Sequence, residues 1–312
     1  MSTYPIEKKL VIAVSSSALF DLTESDKVFR EQGEKVYKQF QKEHLDIPLK
    51  KGVAFPFIRR FLAINNKFPE ERPVEVVLLS RNSTTTGRRV FRSIKHHGLD
   101  ITRAAFLSGS SPFPYIPGFN ASLFLSANEG DVKLAINKNF PAGIVLPSKV
   151  NDNMEDVELR VAFDFDGVIA DDEAETIYKK GGLEKFQQHE QDKIATPHNN
   201  GLLAKLFTGL SNLQALEEQA KDKDPNYKTI LRTAIITARN APAHERMVTT
   251  LESWGVSANE TFFLGGMDKN RILGIFKPHI FFDDQKHHLT ATDDNIPMVH
   301  IPFGVANKGD GK

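Results

Sequence analysis

The 312-residue chain has no cysteine. That excludes disulfides, thiolate metal sites and cysteine nucleophiles. It has no net charge either, with 40 basic and 40 acidic side chains. Bulk attraction to a nucleic-acid polymer or a membrane surface is therefore not expected. No apolar run reaches the length of a membrane helix. The opening segment MSTYPIEKKLVIAV lacks a long apolar stretch behind its positive charges, so no secretory signal is expected and a cytoplasmic location is. What is present is 40% hydrophobic and 26% charged residues, which suits globular domains, and the length allows two of them.

Short apolar runs alternate with longer amphipathic segments. KLVIAV (9–14), VEVVLL (74–79), AAFLSG (104–109), ASLFLS (121–126) and AGIVLP (142–147) read as strands. Residues 24–44, 54–66, 84–97 and 129–138 read as helices between them. The second half repeats the scheme, with strands ELRVAF (158–163), RTAIIT (232–237), ETFFLG (260–265), PHIFFD (278–283) and PMVHIP (297–302). Such alternation predicts α/β layers with mostly parallel sheets. SKVNDNMED (148–156) is polar and aperiodic and reads as a linker. This divides the chain into 1–149 and 150–312. The tail NKGDGK is expected to be disordered.

The halves read as copies. A shift of 157 positions (237 − 80 = 157) aligns Ser80–Ile144 with the second half without a gap, and eight identities fall in register. Gly98 meets Gly255, Phe106 meets Phe263 and Phe124 meets Phe281. The first strands match at a shift of 149, VIAVSS on VAFDFD. An internal duplication with an eight-residue difference between strands one and two accounts for both shifts.

Chemistry gathers in the second half. Asp164 and Asp166 close one strand in RVAFDFDGVIADDE, and Thr237 closes another in AIITARNAP. Lys269 follows a strand and turn, and Asp283 and Asp284 close HIFFDD. Ligands bind at this edge of open parallel sheets, so acids, hydroxyl and amine can converge there. A carboxylate can attack phosphorus. A phosphate dianion facing several carboxylates needs a cation, since two like charges 4 Å apart repel by about 4 kcal/mol at an effective dielectric of 20. Mg2+ suits an all-oxygen site. Lys269 would neutralise the transferring oxygens and Thr237 would hydrogen-bond one of them. A helix entered near Pro242 would offer free backbone N–H groups beyond Thr237, that of Ala238 first. Asp166 stands beside the nucleophile to protonate the leaving alkoxide and activate water.

These four motifs, in order at strand ends, resemble those of haloacid dehalogenase-type phosphohydrolases. IAVSSSALFDL, GVAFPFI, TARN, LESWGV, FFLGG, KPHIFFDDQ and HIPFGVA extend the likeness from about Lys9 to Ala306, and there the sequence looks like the cytosolic 5′-nucleotidase type I family. The resemblance implies two tandem Rossmann-like α/β domains, with the second carrying a helical cap at about 174–230. It implies Mg2+-dependent hydrolysis of nucleoside 5′-monophosphates, AMP most commonly, through an aspartyl-phosphate. By residue it implies Asp164 as nucleophile, Asp166 as acid and base, and Thr237, Ala238 and Lys269 around the phosphate. Metal ligands are expected among Asp164, Asp166, Asp283 and Asp284, Asp283 more directly than Asp284.

Within the cap, Phe186, His189 and Phe207 are candidates for stacking a base or ribose, against the plainer reading as helix core. Asp172 and Glu173 stand behind the acids or at the cap hinge, and Asp171 reads as a turn acid. The adjacent pairs His96-His97 and His287-His288 read as surface. The first half has Ser15, Ser17, Pro112, Ser126 and Ala127 in place of Asp164, Asp166, Lys269, Asp283 and Asp284, so it is expected to be catalytically silent. Its basic loop SRNSTTTGRR (80–89) is a candidate for an effector phosphate or a plain solvated helix start. A homo-oligomer is compatible with the sequence. The rival readings are a phosphatase of another small phosphomonoester, such as a sugar phosphate, and a non-enzymatic nucleotide sensor or scaffold.

Overall fold

The computed structural model describes residues 4–149, 152–289 and 295–307. The chain forms two compact units, Met1–Asn153 and Met154–Lys312. In unit 1 five strands, Leu10–Val14, Val74–Ser80, Arg103–Phe106, Ala121–Ser126 and Ala142–Val145, pair in parallel. In unit 2 five more, Leu159–Phe163, Leu231–Thr237, Glu260–Phe263, Ile280–Asp283 and Met298–His300, do the same. Each unit orders its strands third, second, first, fourth, fifth. All ten lie on the apolar runs that predicted them. Crossover helices cover both faces of a parallel sheet, which is why its inner strands are continuous apolar runs. Every residue of Leu10–Val14, Val74–Ser80 and Ala121–Ser126 is buried. The third strand of each unit is an edge and is only partly covered.

The backbone carries the duplication beyond shared apolar spacing. At a shift of 157, four pairs adopt positive φ together: Gly98 and Gly255 (67° and 64°), Ser108 and Gly265 (48° and 57°), Gly109 and Gly266 (96° and 84°), Asn120 and Lys277 (52° and 50°). Such φ is uncommon for side chains of L configuration, so the match follows the loops and not the core. At a shift of 149, Gly33 and Gly182 kink the helices Thr23–Glu43 and Glu173–Asp192 alike.

This comparison corrects the expected cap. The second helix of the stretch starts at Phe55 in unit 1 and Ala204 in unit 2, again 149 apart (204 − 55 = 149). Both units therefore carry the helical segment. The surplus residues lie at the end of that helix, which is 13 residues long as Phe55–Lys67 and 20 as Ala204–Lys223. Ala204–Lys223 is a crossover helix that packs on the sheet. Phe207 meets Phe163 edge-on at 5.5 Å, and Glu217 accepts from the Ile230 and Leu231 amides at 2.8 and 3.0 Å.

The expected linker is also anchored. Asp152 accepts from Lys51, Arg59 and Arg60 of unit 1 at 2.8–2.9 Å. Burial opposes its charge, but these three cations outweigh it and hold the carboxyl down at about 2. Residues 150–151 and the tail 308–312 lie outside the described residues. Asn307, at the head of that tail, is placed, and its amide donates to the Asp284 and Phe303 carbonyls at 2.8 Å.

Candidate active site

The strand ends of unit 2 bring most of the predicted acids together. Asp164 follows the first strand and is 4% exposed. Its amide donates to the Phe282 carbonyl on the neighbouring strand at 2.8 Å, and its Oδ1 accepts from the Phe165 amide at 2.7 Å. Lys269, buried at the head of the helix Asn270–Phe276, lies between two carboxylates. Its Nζ is 2.8 Å from Asp164 Oδ2 and 2.7 Å from Asp283 Oδ2. Asp283 ends the fourth strand and is fully buried. Its Oδ1 accepts from the Gln285 amide at 2.8 Å.

Charge is shared unevenly here. Burial drives Asp164 up to about 6, against the pull of the Lys269 ammonium and with the push of Asp283. Burial also works against the charge on Asp283, but Lys269 and His288 hold its carboxyl below the usual range. Burial lowers the Lys269 amine, and the two carboxylates outweigh it and leave it raised. Asp284 is pushed up to about 9 by burial and by the charges of Asp164 and Asp283. Its Oδ1 has no hydrogen-bond partner although it is buried.

Those features fit a hard divalent cation. An orphaned carboxylate oxygen, a second carboxyl that does not ionise readily and a fully buried third make the donor set of an oxygen-lined cation site. Ligand atoms of Asp164, Asp283 and His288 lie within 4.8 Å of one another. The turn Phe165–Ile169 wraps this point through Gly167, at φ +72°, where a Cβ would fall 2.5 Å from Asp284 Oδ2. Only glycine fits both the conformation and the approach.

Two residues that sequence reasoning did not assign belong to the site. His288 reads as surface from the sequence, because neighbours in sequence do not share a helix face. It sits instead on the short turn Lys286–Leu289, with Nδ1 3.1 Å from Asp283 Oδ2. Its distance of five residues from Asp283 was the available signal. Arg239 is not singled out by the sequence pattern of TARN. It is 3% exposed, and its Nε and Nη2 donate to Asp166 Oδ2 and Oδ1, both at 2.7 Å.

The remaining candidates separate. The Thr237 side chain is buried, and its Oγ1 accepts from the Arg239 amide at 3.2 Å. Ala238 is exposed just beyond the strand. The following helix starts at His244, not at Pro242, so the Ala238 amide belongs to a loop and not to a helix's first turn. Phe207 is 1% exposed within the core and presents no face to a ligand. Phe186 is buried with Ala174 and Ala243, and its ring lies 5.4 Å from the Arg239 guanidinium. His189 Nε2 lies 3.3 Å from Glu173 Oε1 on its own helix, a carboxylate already held by Lys193 and Arg246. In unit 1 the basic loop is largely committed: Arg81 pairs with Asp131 at 2.6 Å, and Arg89 is buried against the Ile47 carbonyl at 2.9 Å.

Among the described residues no helix is long and apolar enough to cross a membrane. A family model described as 5′-nucleotidase matches residues 2–308. Cytosolic 5′-nucleotidase 1B of Homo sapiens is 31% identical over 286 residues, which cover 90% of this chain and 46% of that protein. The chain thus spans about half the length of that curated relative. No solved structure matches it.

Proposed function

This chain belongs to the 5′-nucleotidase family, and from that premise we propose that unit 2 hydrolyses nucleoside 5′-monophosphates, AMP favoured, to nucleoside and phosphate in the cytoplasm. The observation that carries the reading is the Lys269 ammonium seated between Asp164 and Asp283 at 2.8 and 2.7 Å, at the strand edge where ligands bind.

Asp164 attacks phosphorus, and the bond to the 5′ oxygen breaks. Asp166 gives its proton to the departing alkoxide, leaving free nucleoside and an aspartyl-phosphate. Asp166 then takes a proton from water, which attacks the same phosphorus and releases Asp164 and phosphate. Lys269, the Thr237 hydroxyl and the Ala238 amide meet the charge that develops on the phosphoryl oxygens. Asp164, Asp283 and Asp284 would hold Mg2+, with His288 steadying Asp283; the Asp166 carboxylate, expected among the ligands, is engaged by Arg239. When bound, the ion offsets the repulsion between phosphate and carboxylates. The helix Glu173–Asp192 is the part of the expected cap that remains available to cover the substrate. Unit 1 is silent in this scheme.

Phosphate release tests the reading. The protein with Mg2+ is expected to act on purine and pyrimidine monophosphates in preference to sugar phosphates. Preference for sugar phosphates would transfer the site to the rival phosphatase, and no release from either class would favour the sensor.

A further inference from the structure

Arg239 uses its whole guanidinium. Beyond the two bonds to Asp166, Nη1 donates to Glu190 and, at 3.0 Å, to the Ala243 carbonyl, and Nη2 lies 3.0 Å from His198 Nε2. The rings of Phe165 and Phe186 lie 5.2 and 5.4 Å from its centre. Glu190, fully buried on the helix Glu173–Asp192, is also held by Arg246 at 2.9 Å. Taking a guanidinium out of water is unfavourable unless its partners offset the loss. A network of this kind needs a reason.

Unit 1 provides an internal control. Arg246 has its counterpart in Arg89 (246 − 157 = 89), and Glu190 in Gln41 (190 − 149 = 41). Arg246 Nε donates to the Thr196 carbonyl at 2.9 Å, and Arg89 Nε to the Ile47 carbonyl at 2.9 Å. Arg89 reaches Gln41 at 3.4 Å as Arg246 reaches Glu190. The hydroxyls of Thr250 and Ser93 donate to the carbonyls of Arg246 and Arg89 at 2.7 and 2.8 Å. The fold-bearing part of the network is therefore kept in both units. The arm toward the acid is not. Asn82 stands for Arg239 and Ser17 for Asp166, and Asn82 bonds the hydroxyls of Tyr37 and Ser16 at 2.8 and 3.3 Å. The same architecture stands without a buried cation at this position when the acid is gone.

We infer that Arg239 is the positioning residue for Asp166, and that Glu190 and Arg246 brace it against the helix Glu173–Asp192. This rests on the nucleotidase reading above, with Asp166 as the proton donor to the leaving group. Two parallel N–H bonds fix both the place and the plane of a carboxylate, which a lysine does not do.

Arg239→Lys keeps a cation beside Glu190 and tests the point in a folded protein, checked by its thermal unfolding midpoint. With AMP, kcat should fall about 100-fold, while KM stays within about threefold. With the analogue carrying sulfur in place of the bridging 5′ oxygen, the loss should be under about fivefold, because a thiolate leaves without needing a proton. In an Asp166→Asn background, adding Arg239→Lys should cost less than about threefold. Equal losses on both substrates, or in both backgrounds, would overturn the assignment and leave Arg239 as a structural residue. Wild-type turnover of AMP by Arg239→Lys would overturn it as well. A wild-type protein inert toward AMP and the analogue alike would remove the nucleotidase reading itself, a result distinct from the others.

Discussion

Unit 1 and unit 2 make the same turns at their strand ends with different side chains. In unit 1 the Asn82 amide donates to Ser80 Oγ at 3.1 Å, and in unit 2 the Arg239 amide donates to Thr237 Oγ1 at 3.2 Å. The Asn128 amide bonds Ser126 Oγ at 3.1 Å where the Gln285 amide bonds Asp283 Oδ1 at 2.8 Å. Ser15 and Asp164 each donate their amide across to the next strand at 2.8 Å. A hydroxyl closes these turns as well as a carboxylate does. What unit 2 adds is buried ionisable groups: Asp164, Lys269, Asp283 and Asp284, where unit 1 has Ser15, Pro112, Ser126 and Ala127. Buried charges are costly even when paired. Their presence in only one of two copies points to chemistry, since the fold is built without them in the other.

The sharpest break in the comparison is at its first position. Asp164→Asn should lower turnover by about four orders of magnitude, because an amide is no nucleophile. Ser15→Ala in unit 1 should leave turnover within about twofold, as a side chain that only caps a short turn would. Steady-state phosphate release measures both. A comparable loss from Ser15→Ala would end the idea of a silent half.

Metal removal should reach one unit alone. Chelation should abolish turnover, and Mg2+ or Mn2+ should restore it, since hard oxygen ligands favour hard cations. Full activity in metal-free buffer would contradict the scheme. The same titration followed by amide hydrogen exchange should show protection around Asp164 and Asp283 and none around Ser15 and Ser126.

Next in size is the brace. Glu190→Ala removes the fully buried carboxylate that Arg239 and Arg246 share, leaves them only the more open Asp166 and Glu173, and should cost about 2–3 kcal/mol of stability. Gln41→Ala, its counterpart, removes a neutral acceptor 3.4 Å from the Arg89 guanidinium and should cost about 1 kcal/mol. Denaturant unfolding gives the two values, and near-equal costs would erase the distinction drawn between the networks.

The smallest effect concerns acid. Asp152 of unit 1 has a carboxyl depressed from the ordinary 3.8 to about 2. A lowered folded-state value stabilises above the unfolded pKa and is lost as pH falls through the folded one. Asp152 should therefore contribute about 2 kcal/mol above pH 4, declining below it and gone under pH 2. Unfolding curves for Asp152→Asn and wild type should differ at pH 6 and converge near pH 2. A difference that persists at pH 2 would mean a role other than charge.

How much was legible follows from the kind of signal. The inner parallel strands were visible because a parallel sheet buried on both faces demands unbroken apolar runs, and those runs stand in the chain itself. Asp164, Lys269 and Asp283 were visible because strand ends place them, so a position in sequence becomes a position at one edge. His288 and Arg239 were not visible. His288 lies on a turn whose path no periodicity describes, and Arg239 meets Asp166 from 73 positions away. Phe207 was legible only as an aromatic on a helix. Which face it turned was decided by packing against Phe163.

By itself, then, the sequence determined the two copies, their strands and the order of the charged groups, because backbone hydrogen bonding and apolar burial act through local pattern. Tertiary structure alone decided which copy's side chains share a buried point. It set Lys269 between Asp164 and Asp283, orphaned an oxygen of Asp284 and joined Arg239 to Asp166 and Glu190. Those outcomes depend on distance and desolvation between residues remote in the chain, and neither quantity exists until the sheet is formed.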